Sequence, residues 1–346
     1  MSEAGGVWLA VKERSAIAEA RRQTRGLASA IGLSQDDAER AAIAVSEIAT
    51  NMLKHAEGGR ILVTQLEEAQ SPTLVLLAAD EGPGIENVDR AMIDGVSSAG
   101  SPGIGLGAIQ RQADIFDLLT TTDEGTILIA QFHSPHAAGK LGTTRPAVEV
   151  ASLILNYPGQ SVCGDGRAMR HAPDATLLLL CDGLGHGPEA HRAAQAAIAA
   201  FRASSEASPA RLIEEMSDAA ADTRGAVALV CSIAHGEGAM TFSGIGNVSG
   251  LIASPRSIKR LPSKDGRLGA SRVSVRDEEI AFAAGEVLLM HSDGIRTLRQ
   301  LGQQPGLTFR HPLTIAGHVL ARTARGNDDA CVLAAKRSTG FGEFRD

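Results

Sequence analysis

The chain has 346 residues, 44% of them hydrophobic and 21% charged, a globular composition with length enough for two ordinary domains. A net charge of −7 with only 3% aromatic residues argues against a polyanion-binding face and against base-stacking platforms, so no nucleic-acid partner is expected. No apolar run approaches the ~20 residues of a membrane span, and the opening MSEAGGVWLAVKER lacks the apolar core of a signal peptide. Cys163, Cys181, Cys231 and Cys331 show no CxxC spacing. They read as reduced, mostly buried thiols of a cytoplasmic protein that makes no membrane contact.

From about Val7 to His133 helix and strand patterns alternate. Ala38, Ala42, Val45, Ile48 and Met52 recur at helical spacing between Asp36 and His55. RILVTQLEE and TLVLLAADEG read as strands, GLGAIQRQADIF as the opening of a helix, and GTILIAQFH as a closing strand. SPHAAGKLGTTRP, rich in small residues, Pro and Gly, reads as a linker. The expected division is a first domain over 1–134, a linker over 135–146, a second domain over 147–337 and a frayed tail over 338–346.

The second half is richer in strands: AVEVASLILNY, TLLLLCDG, GAVALVCSIAH, GAMTFSGIGN, EVLLMHSDG and DACVLAAKR, with HGEG as a hairpin signal between two of them. Helices are expected from Pro188 to Ala203, Pro209 to Thr223 and Pro312 to Ala324. No repeat or low-complexity tract interrupts either half.

Chemistry-bearing residues in the first half fall in a fixed order. Glu47 and Asn51 lie four apart on one side of the first long helix, with His55 continuing the row. Taken alone, that stripe reads as a solvated polar face, and the two stretches that follow change the reading. DEGPGIE then places Asp80 at a strand end, with Gly82 and Gly84 admitting a close ligand. SPGIGLGAIQR puts Gly103, Gly105, Leu106 and Gly107 at a helix start, where free N–H groups bind anions. Gly125-Thr126 opens the last strand. A dinucleotide fold is disfavoured, because GIGLGA lacks a preceding strand, and no GxxxxGK[ST] loop occurs.

In this order, E-x-x-x-N, D-x-G-x-G, G-x-G-x-G and Gly-Thr, the first half resembles the Bergerat-fold ATP-binding domains of the GHKL group. It is most similar to the anti-sigma-factor and switch-protein serine kinases of the RsbT type. The resemblance implies that Asn51 binds Mg²⁺ through its amide oxygen and that Asp80 accepts from the adenine amino group. Gly82, Gly84 and the Gly103-to-Gly107 loop with Leu106 would accommodate ATP, and Thr126 would help hold the adenine. Glu47 would orient or deprotonate the attacking hydroxyl, a positioning role suited to phosphoryl transfer. Lys54 and His55 stay open between surface or core and pocket. Gyrase-like relatives carry a transducer domain after the pocket; here a linker follows, so a protein side chain is the expected acceptor.

Acids recur at strand ends in the second half: Asp165 in VCGDGRAM, Asp182-Gly183 after TLLLLC, Asp293 in LLMHSDG, and Asp328 and Asp329 in RGNDDACVLAA. Singly, each reads as a turn former or helix cap. Several Asp-Gly pairs after buried strands instead offer oxygen ligands to hard dications. With SGIGNVSG between them, these motifs resemble the metal-dependent serine/threonine phosphatases of the SpoIIE/RsbX class, an αββα sandwich. By that resemblance Asp165, Asp182, Asp293 and Asp328, with the Gly183 carbonyl, bind two Mn²⁺ or Mg²⁺, and the activated water attacks phosphorus in line. Asp329 is read as a supporting or turn residue, His186 as part of the loop, and SGIGNVSG as a strand connection without chemistry.

The expected fold class is therefore α/β, a Bergerat ATP-binding sandwich followed by an αββα phosphatase sandwich. The expected function is bifunctional control of partner-switching signalling, an ATP-dependent Ser/Thr kinase joined to a phosphatase. STAS-domain switch proteins of the RsbS/RsbR kind, or an anti-sigma antagonist, are the implied partners, with a sigma factor or output phosphatase behind them. The alternative is a phosphatase fused to an ATP-binding capture module without kinase turnover. Oligomeric state is not legible.

Overall fold

The computed structural model describes residues 6–66, 71–93, 105–122, 124–133, 146–236, 238–270, 273–298, 301 and 304–338. Gly103, the expected linker as far as residue 145 and the expected tail from residue 339 lie outside them. The chain divides into two compact units, with the boundary between Thr144 and Arg145.

In the first unit five antiparallel strands, β1 (Trp8–Val11), β2 (Gly59–Gln65), β3 (Thr73–Ala79), β4 (Ile115–Thr121) and β5 (Gly125–His133), form a sheet in the order β1-β2-β3-β5-β4. Alternate residues Leu74, Leu76 and Ala78 of β3 and Leu128, Ala130 and Phe132 of β5 line one core. The helices α1 (Ser15–Ala30) and α2 (Gln35–His55) supply the opposing layer through Ala20, Ala28, Val45, Ile48 and Met52. Each fully buried Leu or Ile there contributes about 1.5–3 kcal/mol. Ser34 caps α2 by accepting the Asp37 N–H at 3.1 Å. Asp36 and Asp37 sit in its first turn and Lys54 and His55 in its last, all matching the helix dipole.

Two short helices, α3 (Val88–Ala91) and α4 (Leu106–Gln112), complete this unit. Arg40 of α2 donates to the Gln112 carbonyl at 2.6 Å and to Asp114 at 2.8 Å, which pins the end of α4 onto α2. The helical reading of GLGAIQRQADIF is corrected here. Ala113 is already extended, the Asp114 N–H donates to the Gln131 carbonyl at 2.9 Å, and Ile115 begins β4. Pairing with β5 captures the segment, a tertiary choice that overrides local periodicity.

The second unit has two five-stranded antiparallel sheets. One has the order β13-β10-β9-β8-β7, built from β7 (Asp165–His171), β8 (Ala175–Gly183), β9 (Ala226–Ala234), β10 (Ala239–Ile245) and β13 (Glu278–Ala281). The other has the order β12-β11-β14-β15-β6, from β6 (Val148–Leu155), β11 (Ser249–Ser254), β12 (Ser257–Leu261), β14 (Val287–His291) and β15 (Ala330–Arg337). Leu178, Leu180, Leu229 and Phe242 of the first sheet share a core with Ile252, Leu288, Met290 and Leu333 of the second. The alternate residues Leu177, Leu179 and Val230 face outward onto α5 (Pro188–Ala203) and α6 (Pro209–Ala219), through Ala194, Ile198, Phe201 and Ile213. The helix α7 (Pro312–Thr323) packs on β6 and β15 of the other sheet. The result is an αββα sandwich.

Strands β7, β11, β12 and β13 were not legible as strands. Three of them form sheet edges; EEIA alternates half-buried and exposed residues, and SIKRL exposes Ser257, Lys259 and Arg260, as charged edges that avoid intermolecular pairing do. All four cysteines are free and buried. Among the described residues no helix is long and apolar enough to cross a membrane.

Candidate functional site

The first unit brings α2, the end of β3, the start of α4 and the start of β5 together. Glu47 and Asn51 are half-buried, one turn apart on α2, and among the described residues neither side chain is engaged in a hydrogen bond or ion pair. Gly105 is the N-cap of α4, and a Cβ built there would stand 3.4 Å from Asn51 Nδ2. The Asn51 amide therefore faces the glycine backbone that opens the helix. Leu106 is half-buried beside it. Gly107 does not precede the helix as the sequence reading has it; it is buried within the first turn.

Asp80 follows β3, and its Oδ1 accepts the N–H of Gly82 at 3.0 Å and of Thr126 at 3.1 Å. Its own N–H donates to the Thr126 carbonyl at 3.0 Å, so strand pairing and side chain both lock Asp80 to the start of β5. Thr120 joins them: its hydroxyl lies 3.1 Å from that of Thr126 and accepts the Ile85 N–H at 2.9 Å. Gly84, at φ +73°, packs where a Cβ would come within 2.3 Å of the Thr121 carbonyl, so no other residue fits there. The unengaged Glu47 and Asn51, together with a glycine-lined floor anchored on Asp80, fit a nucleotide and its cation. Lys54 and His55 are exposed.

In the second unit antiparallel order does the gathering. Strand β7 starts, β8 ends and β9 starts at one end of the first sheet, while β14 ends and β15 starts at one end of the second. The acids lie at these ends. Asp165 is 2% exposed and pairs in register with Asp182. Burial, followed by the Asp182 charge, holds the Asp165 carboxyl well above the usual carboxylate range, against a lowering bond from Ser292, whose hydroxyl donates to Oδ2 at 2.6 Å. Burial and then the charges of Asp293, Asp328 and Asp329 push Asp182 up to about 8. Asp328 is raised too, by burial and then by Asp293. Asp165, Asp182 and Asp328 are each raised in part by neighbouring aspartates, Asp293 among them in every case, so the acids occupy one neighbourhood.

Among the described residues no three His, Cys, Asp or Glu side chains converge tightly enough to hold a single metal ion as they stand. That is compatible with a dication pair. Mg²⁺ keeps most of its water and takes one or two carboxylates. A two-metal site then spreads its ligands over ions about 3.5–4 Å apart. Mutual charge at buried aspartates is the condition that dications relieve, so the residues present fit the group.

Supporting residues fix each carboxylate. Asn247, in the turn after β10, donates from Nδ2 to Asp293 Oδ2 at 2.8 Å. Ser292 bridges the sheets, accepting the Cys331 N–H at 3.0 Å while donating to Asp165. Asp329 is 3% exposed and accepts the N–H groups of Tyr157 at 2.6 Å and Gly164 at 2.9 Å. It ties two loops to β15. Gly183 has its Cα against the Ala190 carbonyl, where a Cβ would lie 2.0 Å from the oxygen, so α5 can seat on the strand end only over glycine. His186 stacks on Tyr157 with ring centroids 4.4 Å apart. Sequence reading missed Asn247 and Ser292. Each resembled a turn residue, and the one available signal was adjacency to an Asp-Gly or Gly-rich turn.

The family model of the histidine kinase-like ATPase domain matches residues 10–132, and that of Stage II sporulation protein E (SpoIIE) matches residues 172–338. Asp165 lies outside the second match and joins the cluster through its pairing with β8. The chain is 36% identical over 110 residues to the serine/threonine-protein kinase RsbT of Bacillus subtilis (strain 168), covering 32% of this chain and 83% of that protein. It is 27% identical over 143 residues to the phosphoserine phosphatase RsbX of the same organism, covering 41% of this chain and 71% of that one. A crystal structure of RsbX in complex with magnesium superposes with a TM-score of 0.51 at 21% identity, over 56% of this chain and 98% of that one, and shows the same fold. The chain therefore belongs to the RsbT kinase family through its histidine kinase-like ATPase domain, to which a SpoIIE-type phosphatase domain is fused.

Proposed function

We propose that this chain sets the phosphorylation state of serine or threonine on STAS-domain switch proteins, adding phosphate with one unit and removing it with the other. The observation that carries the reading is the gathering of Asp165, Asp182, Asp293 and Asp328 at one end of a phosphatase sandwich, in a chain whose other unit leaves Glu47 and Asn51 unengaged among the described residues, beside a glycine-capped helix.

In the kinase half Asp80 and Thr126 would hold the adenine, Gly82, Gly84 and the backbone at Gly105, Leu106 and Gly107 would admit the nucleotide, and Asn51 would hold Mg²⁺. Glu47, one turn away, takes the proton of the acceptor hydroxyl as its oxygen bonds to the γ-phosphorus and ADP leaves. In the phosphatase half Asp165, Asp182, Asp293, Asp328 and the Gly183 carbonyl would hold two Mn²⁺ or Mg²⁺. Such a pair supplies charge neutralisation and an acidified water. The chain's own contribution is to hold the carboxylates: Asn247 orients Asp293, Ser292 orients Asp165, and Asp329 braces the loops behind them. Water adds to phosphorus, the serine or threonine oxygen leaves with a proton, and inorganic phosphate is released.

The deciding experiment incubates the purified chain with a STAS-domain protein and Mg²⁺-ATP, then chelates, adds Mn²⁺ and follows the phosphoprotein by mass. A gain of one phosphate, lost again with Mn²⁺, is expected. Glu47→Ala should abolish the gain and Asp182→Asn the loss. Capture of the partner with ATP but no mass gain, in wild type and Glu47→Ala alike, would favour a binding module over a kinase.

A further inference from the structure

We propose that Arg224, buttressed by Arg267, is the phosphate-recognition residue at the rim of the aspartate cluster, taking the phosphoryl oxygens of a phosphoserine or phosphothreonine ester. The inference rests on the phosphatase reading of that cluster and assigns its substrate contact.

Placement comes first. Arg224 and Gly225 lead directly into β9, whose first two residues, Ala226 and Val227, pair with Gly183 and Asp182. Arg224 thus stands at the same sheet end as the acids. The loop that leaves Asp182 is tied to it, since the Leu184 N–H donates to the Gly225 carbonyl at 3.0 Å. One residue on, a Cβ built at Gly185 would lie 3.0 Å from Arg224 Nη1. The guanidinium therefore lies over the loop that follows Asp182, in space left by the missing side chain.

Arg267 holds this arrangement from the other side. Its Nη1 donates to the Arg224 carbonyl at 2.5 Å, and the next residue, Leu268, donates its N–H to the Ala226 carbonyl at 2.7 Å. Both arginines are exposed, Arg267 holds the backbone that carries Arg224, and among the described residues neither forms an ion pair. Other arginines on this chain are occupied by acids: Arg25 by Glu39, Arg40 by Asp37 and Asp114, Arg211 by Glu214. The charge of Arg325 acts on Asp328 within the cluster itself. A guanidinium without a carboxylate partner, held over that loop, makes a receptor for an oxyanion, since Arg presents a rigid fork of donors that matches phosphate.

Charge balance calls for such a receptor. Asp165, Asp182, Asp293, Asp328 and Asp329 are five carboxylates gathered at one end of the sandwich, on a chain of net charge −7. Two dications together with Arg325, whose charge acts on Asp328, would only balance them and leave nothing over for a further anion. A phosphate monoester, itself close to a dianion at neutral pH, would be repelled by that site unless a fixed cation met its oxygens.

The test uses the full chain loaded with Mn²⁺ and inorganic phosphate as the probe. Phosphate affinity is read by calorimetry, as inhibition of p-nitrophenyl phosphate turnover, and as KM for a phosphoserine peptide. Arg224→Ala should weaken phosphate affinity and raise KM by about 10- to 100-fold, the scale of a charge-assisted hydrogen bond. Mn²⁺ affinity and the unfolding temperature should stay at their wild-type values, and Arg224→Lys should recover part of the loss. Arg267→Ala should give a smaller effect in the same direction. Unchanged phosphate affinity in Arg224→Ala overturns the proposal, and so does a loss that merely tracks weaker Mn²⁺ binding. Failure of the wild type to turn over any phosphate ester would instead remove the phosphatase reading, while direct phosphate binding still decides the role of Arg224.

Discussion

Asp165 and Asp182 face each other across β7 and β8, the first residue of one strand against the second-last of the next. No cationic side chain accounts for the state of either: burial and neighbouring acids raise both, Asp182 to about 8. An acid whose folded pKa lies above its unfolded value stabilises the fold by holding a proton. That contribution is complete below the unfolded value and is lost as pH rises through the folded one. With a chelator present, the unfolding temperature of the chain should therefore fall as pH is raised from about 5 to about 8. Mn²⁺ displaces those protons, so the gain in unfolding temperature on adding Mn²⁺ should grow across the same range. Calorimetry at three pH values with and without Mn²⁺ checks this. A metal increment independent of pH would mean that the two aspartates do not share the bound ions.

Asn51 lies on α2 with its amide against Gly105, at the proposed nucleotide site. Replacing it with alanine removes the candidate cation ligand without disturbing the buried stripe of the helix, since Asn51 is half-buried and makes no hydrogen bond among the described residues. Affinity for Mg²⁺-ATP should drop at least about tenfold, the size of one lost charge-assisted contact, with the unfolding temperature of the ligand-free chain held within a degree or two. Isothermal titration reads both the affinity and its Mg²⁺ dependence. Equal affinity in the variant would move the cation site elsewhere.

Asn247 and Asp329 make an instructive pair because both support the cluster, yet in different ways. Asn247 is exposed and reaches Asp293 with a single bond at 2.8 Å. Asn247→Ala should weaken Mn²⁺ binding by about 10-fold, within the range seen for groups that orient a metal ligand, while stability hardly changes.

Asp329, by contrast, is buried and accepts two backbone N–H groups from Tyr157 and Gly164. Asp329→Ala strands both donors and should cost about 2–4 kcal/mol of stability. Urea unfolding of the two variants, run beside Mn²⁺ titrations, should separate a ligand-orienting residue from a structural one; identical profiles would erase the distinction.

Gly183 gives the sharpest steric forecast. A methyl group there would sit 2.0 Å from the Ala190 carbonyl oxygen, and backbone cannot yield as a side chain can. Gly183→Ala should push α5 off the strand end, cost several kcal/mol and depress Mn²⁺ affinity together with stability. A well-folded variant with native metal binding would show that α5 has another way to seat.

Much of the first pocket was legible because its residues are close in sequence to the features that place them. Glu47 and Asn51 fall on one face of a helix by period alone, and Asp80 marks the end of an apolar strand. The limits of the reading lie at α4 and β4. Local spacing extends the helix through Phe116, but Asp114 is taken by Gln131 and His133 of β5, nineteen residues or so away in the chain. The edge strands β12 and β13 carry too much charge to announce themselves, and the sheet claims them only once β11 and β10 are in place.

What the sequence determined by itself is the set of groups: which strands are buried, which of them end in Asp-Gly, and which helix carries an acid and an amide one turn apart. Those facts follow from side-chain period and solvation, which act over a few residues. Only the tertiary structure decided which acids meet, that Asn247 belongs to Asp293, that Asp329 is a brace, and that Arg224 lies over the loop after Asp182. Such pairings join residues tens to more than a hundred positions apart. They are set by strand register and by the packing of one sheet on another, and these are properties of the whole core.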